Sequence, residues 1–244
     1  MELIWALIIS SLVLVHSSKL PDYIEVCKRS DPDLQACIKK SIEDLRPKLI
    51  EGMPEMKVPP IEPLIIDEPI STEGTGLNVV TKNLKAWGGS NYTLKNLDVD
   101  PLAPKFNFHL NIPHLKIEGM FEVDGKVIMI PVKGNGEITA DVYDVDSEVS
   151  MKSELVNKDG DQFLSFFGLD LHHLKIGKGK IHIGSMFGRE DKLIGDVISS
   201  AINLNFNYFV QELKPTIVST LTQFAVKSAN NIVRDVPLSE IFPE

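Results

Sequence analysis

Three histidines lie close together in this 244-residue chain and could bind a metal: His172, His173 and His182. The residues around them alternate as a β-strand does, and neighbours on a strand point to opposite faces of the sheet. His172 and His173 therefore cannot both reach one ion, and no group of Cys or Glu completes a ligand set. We expect solvated or packed histidines, with neither a metal nor a cofactor.

Patterns typical of catalysis are missing as well. No serine has the Gly-x-Ser-x-Gly surroundings of a hydrolase nucleophile, and no His-Glu-x-x-His occurs. The run GKGK at residues 177–180 lacks the spacing of a phosphate-binding loop, so we interpret it as a hairpin turn. The carboxylates of Asp141, Asp144, Asp146 and Glu148 alternate with apolar residues and predict a solvated outer face. We expect no enzymatic activity.

The formal net charge is −9 and Lys and Arg form no cluster. Such a chain is a poor match for a phosphate backbone or an anionic lipid surface. We therefore expect no nucleic-acid partner.

The first residues predict the compartment. Leu3 to Val15 is an apolar run long enough for a signal-peptide core but too short to span ~30 Å of hydrocarbon. We predict a signal peptide at residues 1–17 and one domain at 18–244, with an uncleaved anchor as the alternative. In a secreted chain the two cysteines, Cys27 and Cys37, are expected to pair, and Asn91 lies in a glycosylation sequon.

The side chains best suited to bind something are apolar. In the stretch KFNFHLNIPHLKI (Lys105–Ile117), every second residue is apolar up to Ile112, which predicts a strand with one apolar face. The periodicity gives these candidates for the lining of an internal site: Phe106, Phe108, Leu110, Ile112, Phe121, Val123, Ile128, Ile130, Ile138, Val142, Met151, Phe163, Ile176, Phe206, Phe209 and Phe224. Ordinary core packing explains the same pattern, so both interpretations stay open. Tyr143 alternates to the other face, but a bulge could turn its hydroxyl inward as a polar anchor.

The elements that must position these residues fall into two groups. A period of two from Leu64 to Phe187 predicts a large antiparallel meander with turns at Gly88-Gly89, Asp124-Gly125, Asn135-Gly136 and Asp159-Gly160. Its predicted strands are Gly76–Trp87, Tyr92–Val99, Lys105–Ile117, Gly119–Ile130, Gly134–Val145, Glu148–Val156, Gln162–Leu169 and Leu171–Ile183. The alternation changes parity at Pro113, which predicts a bulge or bend there.

Two stretches have helical periodicity. One runs from Pro32 to about Leu49, with Asp31 as its predicted N-cap. The other runs from Glu190 to Val233, about 66 Å at 1.5 Å per residue, and Pro215 is predicted to kink or split it. A helix of that length in a chain of this size predicts an α+β fold in which a highly curved antiparallel sheet wraps around the long helix. Such a tube could be filled, or could leave a hydrophobic tunnel.

The sequence also resembles the insect takeout and haemolymph juvenile-hormone-binding proteins over nearly the whole mature chain. The resemblance rests on the cysteine pair ahead of the first helix and on these segments in order: PEMKVPPIEPLIIDE, LKNLDVDP, GMFEVDGKVIMIPVKGNGEITADVYDV, INLNFNYFVQELKP and VPLSEIF. The absence of a third and fourth cysteine makes the chain similar to the takeout branch. It departs from the family at residues 185–187, where Ser-Met-Phe replaces the usual Asn-Leu-Phe.

The resemblance implies a TULIP-like fold with a hydrophobic tunnel and a shorter N-terminal helix, held by the disulfide, near its mouth. It implies a secreted, extracellular, monomeric carrier of an elongated hydrophobic ligand such as a juvenile hormone, another terpenoid or a fatty-acyl lipid, without stable membrane insertion. The alternative is a secreted signalling or interaction protein that acts through its outer surface and has a filled interior.

Overall fold

The computed structural model describes residues 20–72, 77–127, 129–184 and 192–244. The predicted signal peptide therefore lies outside the described residues, as do Ile128 and the segment 185–191. The strands are β1 (Leu64–Ile66), β2 (Ile70–Thr72), β3 (Leu77–Trp87), β4 (Thr93–Asp100), β5 (Lys105–Val127), β6 (Ile130–Lys158) and β7 (Asp161–Ile183). The helices are α1 (Leu34–Asp44), α2 (Arg46–Glu51), α3 (Lys192–Leu204), α4 (Phe206–Val233) and α5 (Leu238–Ile241), with 3₁₀ turns at Pro54–Met56 and Gly89–Asn91.

All seven strands belong to one antiparallel sheet, with the order β1-β3-β5-β6-β7. β2 pairs with β3, and β4 pairs with the first part of β5. The predicted combination of a large antiparallel sheet and a long C-terminal helix is confirmed, and the sheet is curved without closing into a barrel.

The strands are fewer and longer than predicted. Six predicted strands merge in pairs to form β5, β6 and β7, so the turns expected at Asn135-Gly136 and Gly177–Lys180 are wrong. Gly136 pairs with Phe121 in an unbroken ladder, where a glycine leaves room beside the ring. The Asp124-Gly125 turn is wrong as well, because both residues pair with β6 and the chain reverses only after Val127. Turns do occur at Gly88 and at Asp159-Gly160, where the backbone has positive φ.

The parity change predicted at Pro113 is present, and it crosses three strands. The register places Pro113 opposite Asp144 and Asp144 opposite Gly177. Asp144 has a φ of +55°, which residues other than glycine seldom adopt, and a Cβ at Gly177 would lie 2.8 Å from the Asp144 Cβ. Ile112 and Leu115, three residues apart, consequently pack on the same face. One transverse kink therefore keeps the apolar face inward in β5, β6 and β7 together.

The helices also depart from the prediction. The long C-terminal stripe is divided at Asn205, not at Pro215, which lies inside α4. The Asn205 amide donates to the Ala201 carbonyl 2.9 Å away, a local hydrogen bond of the kind that ends a helix. Pro215 and Gln211, the residue whose carbonyl loses its partner, are both exposed, so water can satisfy that carbonyl.

The N-terminal helix is shorter than predicted and is divided in two. Asp33 caps α1, accepting from the Ala36 amide at 3.3 Å, whereas Asp31 instead accepts from the Asp33 amide. α1 ends before Pro47, which lies in the first turn of α2. A proline cannot donate the hydrogen bond that a continuous helix would require there.

Amide side chains fasten three of the helices to free strand edges. Asn230 of α4 binds both the amide and the carbonyl of Phe166, at 2.8 and 2.7 Å. Asn203 of α3 binds Ile181 in the same way, at 2.7 and 2.8 Å. Gln35 of α1 binds Val99 at 2.7 and 3.0 Å. Each amide supplies the donor and the acceptor that a neighbouring strand would have supplied.

We expect Asn230→Ala to lower the free energy of unfolding by about 2 kcal/mol, because two partly buried backbone groups lose their partners. Urea denaturation measures the loss, and hydrogen exchange should show faster exchange of the Phe166 amide. Asn205→Ala is the matched control, since its side-chain amide binds only Ala201 in the last turn of α3 and hydrogen-bonds no strand. Equal stabilities of the two variants would contradict this assignment.

Candidate functional site

The apolar residues predicted to line the site fall into three clusters along the sheet. The α1-end cluster consists of Leu94, Leu97, Val99, Phe106, Leu164, Phe166, Val233, Leu238 and Phe242. The α3-end cluster consists of Phe121, Val123, Val132, Ile183, Ile198 and Phe209. Between them, the middle cluster consists of Ala140, Val142 and Val145, with Ile112, Leu115, Ile117, Leu174, Ile176 and Ile181 packed against it.

Each described candidate can be placed in this scheme. Phe108, Leu110 and Met151 pack on the α1-end cluster, and Ile138 packs on the α3-end cluster. The prediction for Phe163 is wrong, because Phe163 pairs with the exposed Val156 and alternates to the face opposite its inward neighbour Leu164. The ring of Phe206 covers Gly179 so closely that a Cβ there would overlap it. Phe224 is half-buried on α4. Ile130 is the first residue of β6.

Helix residues take part in both end clusters, whereas the middle cluster consists of strand residues alone. Phe209 and Val233 are buried near the two ends of α4, but no residue from 210 to 232 is. Even Leu213, Ile217 and Phe224, which share one apolar stripe, keep part of their surface accessible. A helix packed directly on a sheet would bury that stripe. Because Val226, Ala229 and Ile232 pack on the α1-end cluster, the burial pattern indicates that α4 stands away from the middle of the sheet between Phe209 and Val226, about 26 Å at 1.5 Å per residue.

Tyr143 does not point inward, so the prediction of a polar anchor at this residue is wrong. Its ring stacks on His114 with a centroid distance of 4.5 Å, and the Lys178 ammonium lies 5.2 Å from the ring centroid. The imidazole of His114 lies 2.7 Å from a carboxylate oxygen of Asp141. All four residues lie on the outer face, while their neighbour Val142 points inward. The kink at Asp144 thus leaves Tyr143 on the outer face.

The outer face carries charges that pair across strands. Asp146 binds Lys95, and one of its oxygens lies 2.8 Å from the His109 imidazole. Hydrogen bonds from Lys95 and then from His109 lower the pKa of Asp146 to about 2. The predicted solvated outer face is therefore a network of ion pairs and hydrogen bonds between β4, β5 and β6.

Both chain ends close the α1 end of the sheet. Cys27 and Cys37 form a disulfide that ties the N-terminal segment to the first turn of α1. Arg29 donates from its backbone to the Pro243 carbonyl, at 2.7 Å, and from its side chain to the Phe242 carbonyl, at 2.6 Å. Leu238 and Phe242 fill the α1-end cluster behind this contact. An opening at this end requires these two segments to separate.

Two clefts on the surface lie near the same end. One, of about 550 Å³, lies between residues 20–26 and α5, and the other, of about 330 Å³, lies between α1 and the turn after β4. Charged side chains take part in the lining of both, and neither is lined by residues of the middle cluster. The apolar interior under α4 therefore remains the better candidate site.

Other chemistry finds little support in the described part of the chain. No three His, Cys, Asp or Glu side chains there come together as a metal site. His172 hydrogen-bonds Ser150, while its neighbour His173 pairs with Glu148 across the ladder. Within the same residues, no helix combines the length and apolarity needed to cross a bilayer. Asn91 is exposed at the end of a 3₁₀ turn, and its glycosylation stays a prediction.

Sequence reasoning overlooked the three amides that hold the helices. Asn203 and Asn230 interrupt the apolar stripe of the C-terminal helices, and polar residues within such a stripe are a signal that could have been used.

Comparison with known proteins gives a consistent result. Residues 3–243 match the family of haemolymph juvenile hormone binding proteins. The chain is 22% identical to the circadian clock-controlled protein daywake of Drosophila melanogaster, over 99% of this chain and 96% of that protein. It is also 22% identical to a putative beta-carotene-binding protein of Schistocerca gregaria, over 90% of this chain and 88% of that protein. The crystal structure of Epiphyas postvittana Takeout 1 has the same fold, with a TM-score of 0.77 and 17% identity over 91% of this chain and 100% of that one.

The Asp146 contacts predict a pH dependence of stability. Because its pKa is lowered in the folded state, Asp146 stabilises the fold above about pH 4, and this stabilisation is lost as the pH falls from 4 towards 2. We expect Asp146→Asn to be less stable than wild type at pH 6 and to approach it near pH 2. Urea denaturation at several pH values measures this difference. Asp235→Asn, at an exposed position, is the control, and parallel profiles for wild type and Asp146→Asn would contradict the prediction.

Proposed function

The chain belongs to the haemolymph juvenile hormone binding protein family, as its resemblance predicted, and on that basis we propose that it is a secreted carrier of one elongated hydrophobic molecule. The molecule lies between α4 and the middle cluster. One observation carries the proposal: α4 is packed at both ends, whereas its middle stays accessible opposite an apolar face made only of strand residues.

The energy for binding comes from removing apolar surface from water. A ligand with ~400 Å² of apolar surface gains roughly 10 kcal/mol at ~25 cal/mol per Å², before the costs of association. Affinities from micromolar to nanomolar are therefore within reach. The long, apolar space between the middle of α4 and the middle cluster suits a terpenoid or a fatty-acyl chain. A ligand of this class agrees with the beta-carotene in the name of the Schistocerca relative. The residues of the protein fit the shape of the ligand and exclude water from it, and they carry out no chemical reaction.

The first test is native mass spectrometry of protein purified from insect cells, followed by organic extraction. We expect a bound lipophilic molecule that is lost on extraction, after which the protein binds the fluorescent probe N-phenyl-1-naphthylamine. Protein that carries no extractable molecule and binds no probe would favour the alternative function, an interaction protein that acts through its outer surface.

A variant that fills the space should block binding. Ile176 points into the middle cluster, so we expect Ile176→Trp to weaken binding of the probe at least tenfold while leaving the urea midpoint within the range of ordinary surface variants. Lys175→Trp is the matched control, because the adjacent residue on β7 is exposed. If both variants bind the probe as wild type does, the ligand does not lie at the middle cluster.

Access to the space is proposed to require movement of α1, and the disulfide limits that movement. We expect Cys27→Ser to release a bound fluorescent fatty acid several-fold faster, measured by stopped-flow transfer to vesicles. In the chain-entropy model its free energy of unfolding should fall by about 2–3 kcal/mol. The double variant Cys27→Ser/Cys37→Ser should behave as the single one does. Release at the wild-type rate would rule out this route.

A further inference from the structure

One side-chain oxygen has no hydrogen-bond partner although it is buried. Among the described residues, the hydroxyl of Thr81 is the one such side-chain oxygen or nitrogen. Leaving a buried hydroxyl unpaired costs about 1–3 kcal/mol. Most buried polar groups have a partner, so an exception in the interior calls for a physical reason.

The register places Thr81 on the inner face of the sheet. Thr81 pairs with Phe121, and Val79, two residues earlier on β3, packs on the α3-end cluster of which Phe121 is a member. Residues two apart on a regular stretch of strand share a face, and the ladder is regular from Val79 to Thr81. The hydroxyl is therefore attached to the wall of the interior.

Thr81 also lies where the α3-end cluster gives way to the middle cluster. From Phe121 the inner face of β5 continues to Gly119, where the Leu84 side chain takes the place of a side chain of its own, and then to Ile117, which packs on the middle cluster. The orphan hydroxyl is thus located at one end of the space under α4. Thr81 as a whole is only partly buried. A rotation of about 120° between staggered χ1 wells can turn its hydroxyl from the covered to the accessible side.

We propose that Thr81 is the polar anchor of the site and that the ligand is an amphiphile with a hydroxyl, carboxyl or ester group at one end. That group exchanges a hydrogen bond with Thr81 at the α3 end, and the apolar chain runs past the middle cluster towards the α1 end. The inference rests on the proposed carrier function and adds to it the chemical class and the direction of the ligand.

The test compares two probes that differ in one hydroxyl, 1-tetradecanol and tetradecane, by displacement of N-phenyl-1-naphthylamine from delipidated protein. Wild type should prefer the alcohol. Thr81→Val should lose about five- to tenfold in affinity for the alcohol and keep its affinity for the alkane, whereas Thr81→Ser should retain the preference. Thr139→Val is the matched control, because Thr139 lies between Ile138 and Ala140 on β6, which both point inward, and so points outward.

The urea midpoint of Thr81→Val distinguishes a ligand-binding hydroxyl from one that supports the fold. Because its hydroxyl has no partner in the free protein, Thr81→Val should have a urea midpoint no lower than that of wild type. A lower midpoint would mean that the hydroxyl supports the fold, and this would overturn the inference.

The two proposals fail in different ways. If wild type binds both probes and Thr81→Val leaves their ratio unchanged, the anchor is wrong and the carrier function stands. If neither probe displaces the dye from wild type, the carrier function is wrong and the anchor is wrong with it.

Discussion

The free edges of the sheet impose the main physical constraint on this protein. An edge strand presents backbone donors and acceptors that must find partners, and here no further strand provides them. Asn203 and Asn230 hydrogen-bond the free backbone groups of β7 near its two ends, and Gln35 does the same for β4. The same hydrogen bonds determine where the helices lie. Because the contacts of α3 and α4 with β7 are 27 residues apart in the chain, the helix between them is held at its ends and left free of the sheet in its middle.

The transverse kink of the sheet complements this arrangement. Pro113, Asp144 and Gly177 change the parity of three strands at the same level, so that each keeps an apolar face inward on both sides of the bend. Because the apolar side chains stay on the same face of the sheet across this bend, the sheet can curve around α4. Aromatic side chains such as Phe106, Phe166 and Phe209 fill the two ends. Mid-sized aliphatic ones line the middle, except where the ring of Phe206 covers Gly179 beside Val142. The distribution of side-chain volume, together with the position of α4, favours a space in the middle over one at the ends.

The outer face of the sheet is polar and contacts water, whereas the inner face is apolar and suited to an apolar ligand. The outer face carries cross-strand pairs such as His109 with Asp146 and His114 with Asp141, which keep an acidic protein well solvated. The inner face carries the three apolar clusters, and among the described residues the hydroxyl of Thr81 is the one buried side-chain oxygen or nitrogen without a hydrogen-bond partner. A carrier needs this separation, because a ligand that is taken out of water must find a dry surface and the carrier itself must stay in solution.

Local patterns in the sequence were enough to predict the class of fold. Alternation in β3 to β7, the long apolar stripe of α3 and α4, and the parity change at Pro113 each depend on neighbours along the chain. The tertiary structure alone decided how these elements divide and meet. Asn135-Gly136 and residues 177–180 have turn composition, but long-range ladders kept them in strands. Pro215 stayed within α4 because its side of the helix faces solvent, and Tyr143 turned outward to stack on a residue of the neighbouring strand. The periodicity placed strand residues such as Phe106 and Val142 on the inner face, but it misplaced Phe163 and could not tell a filled core from a lined space. That difference depends on the distance between α4 and the sheet, which is set by amides that bind strands far away in the sequence.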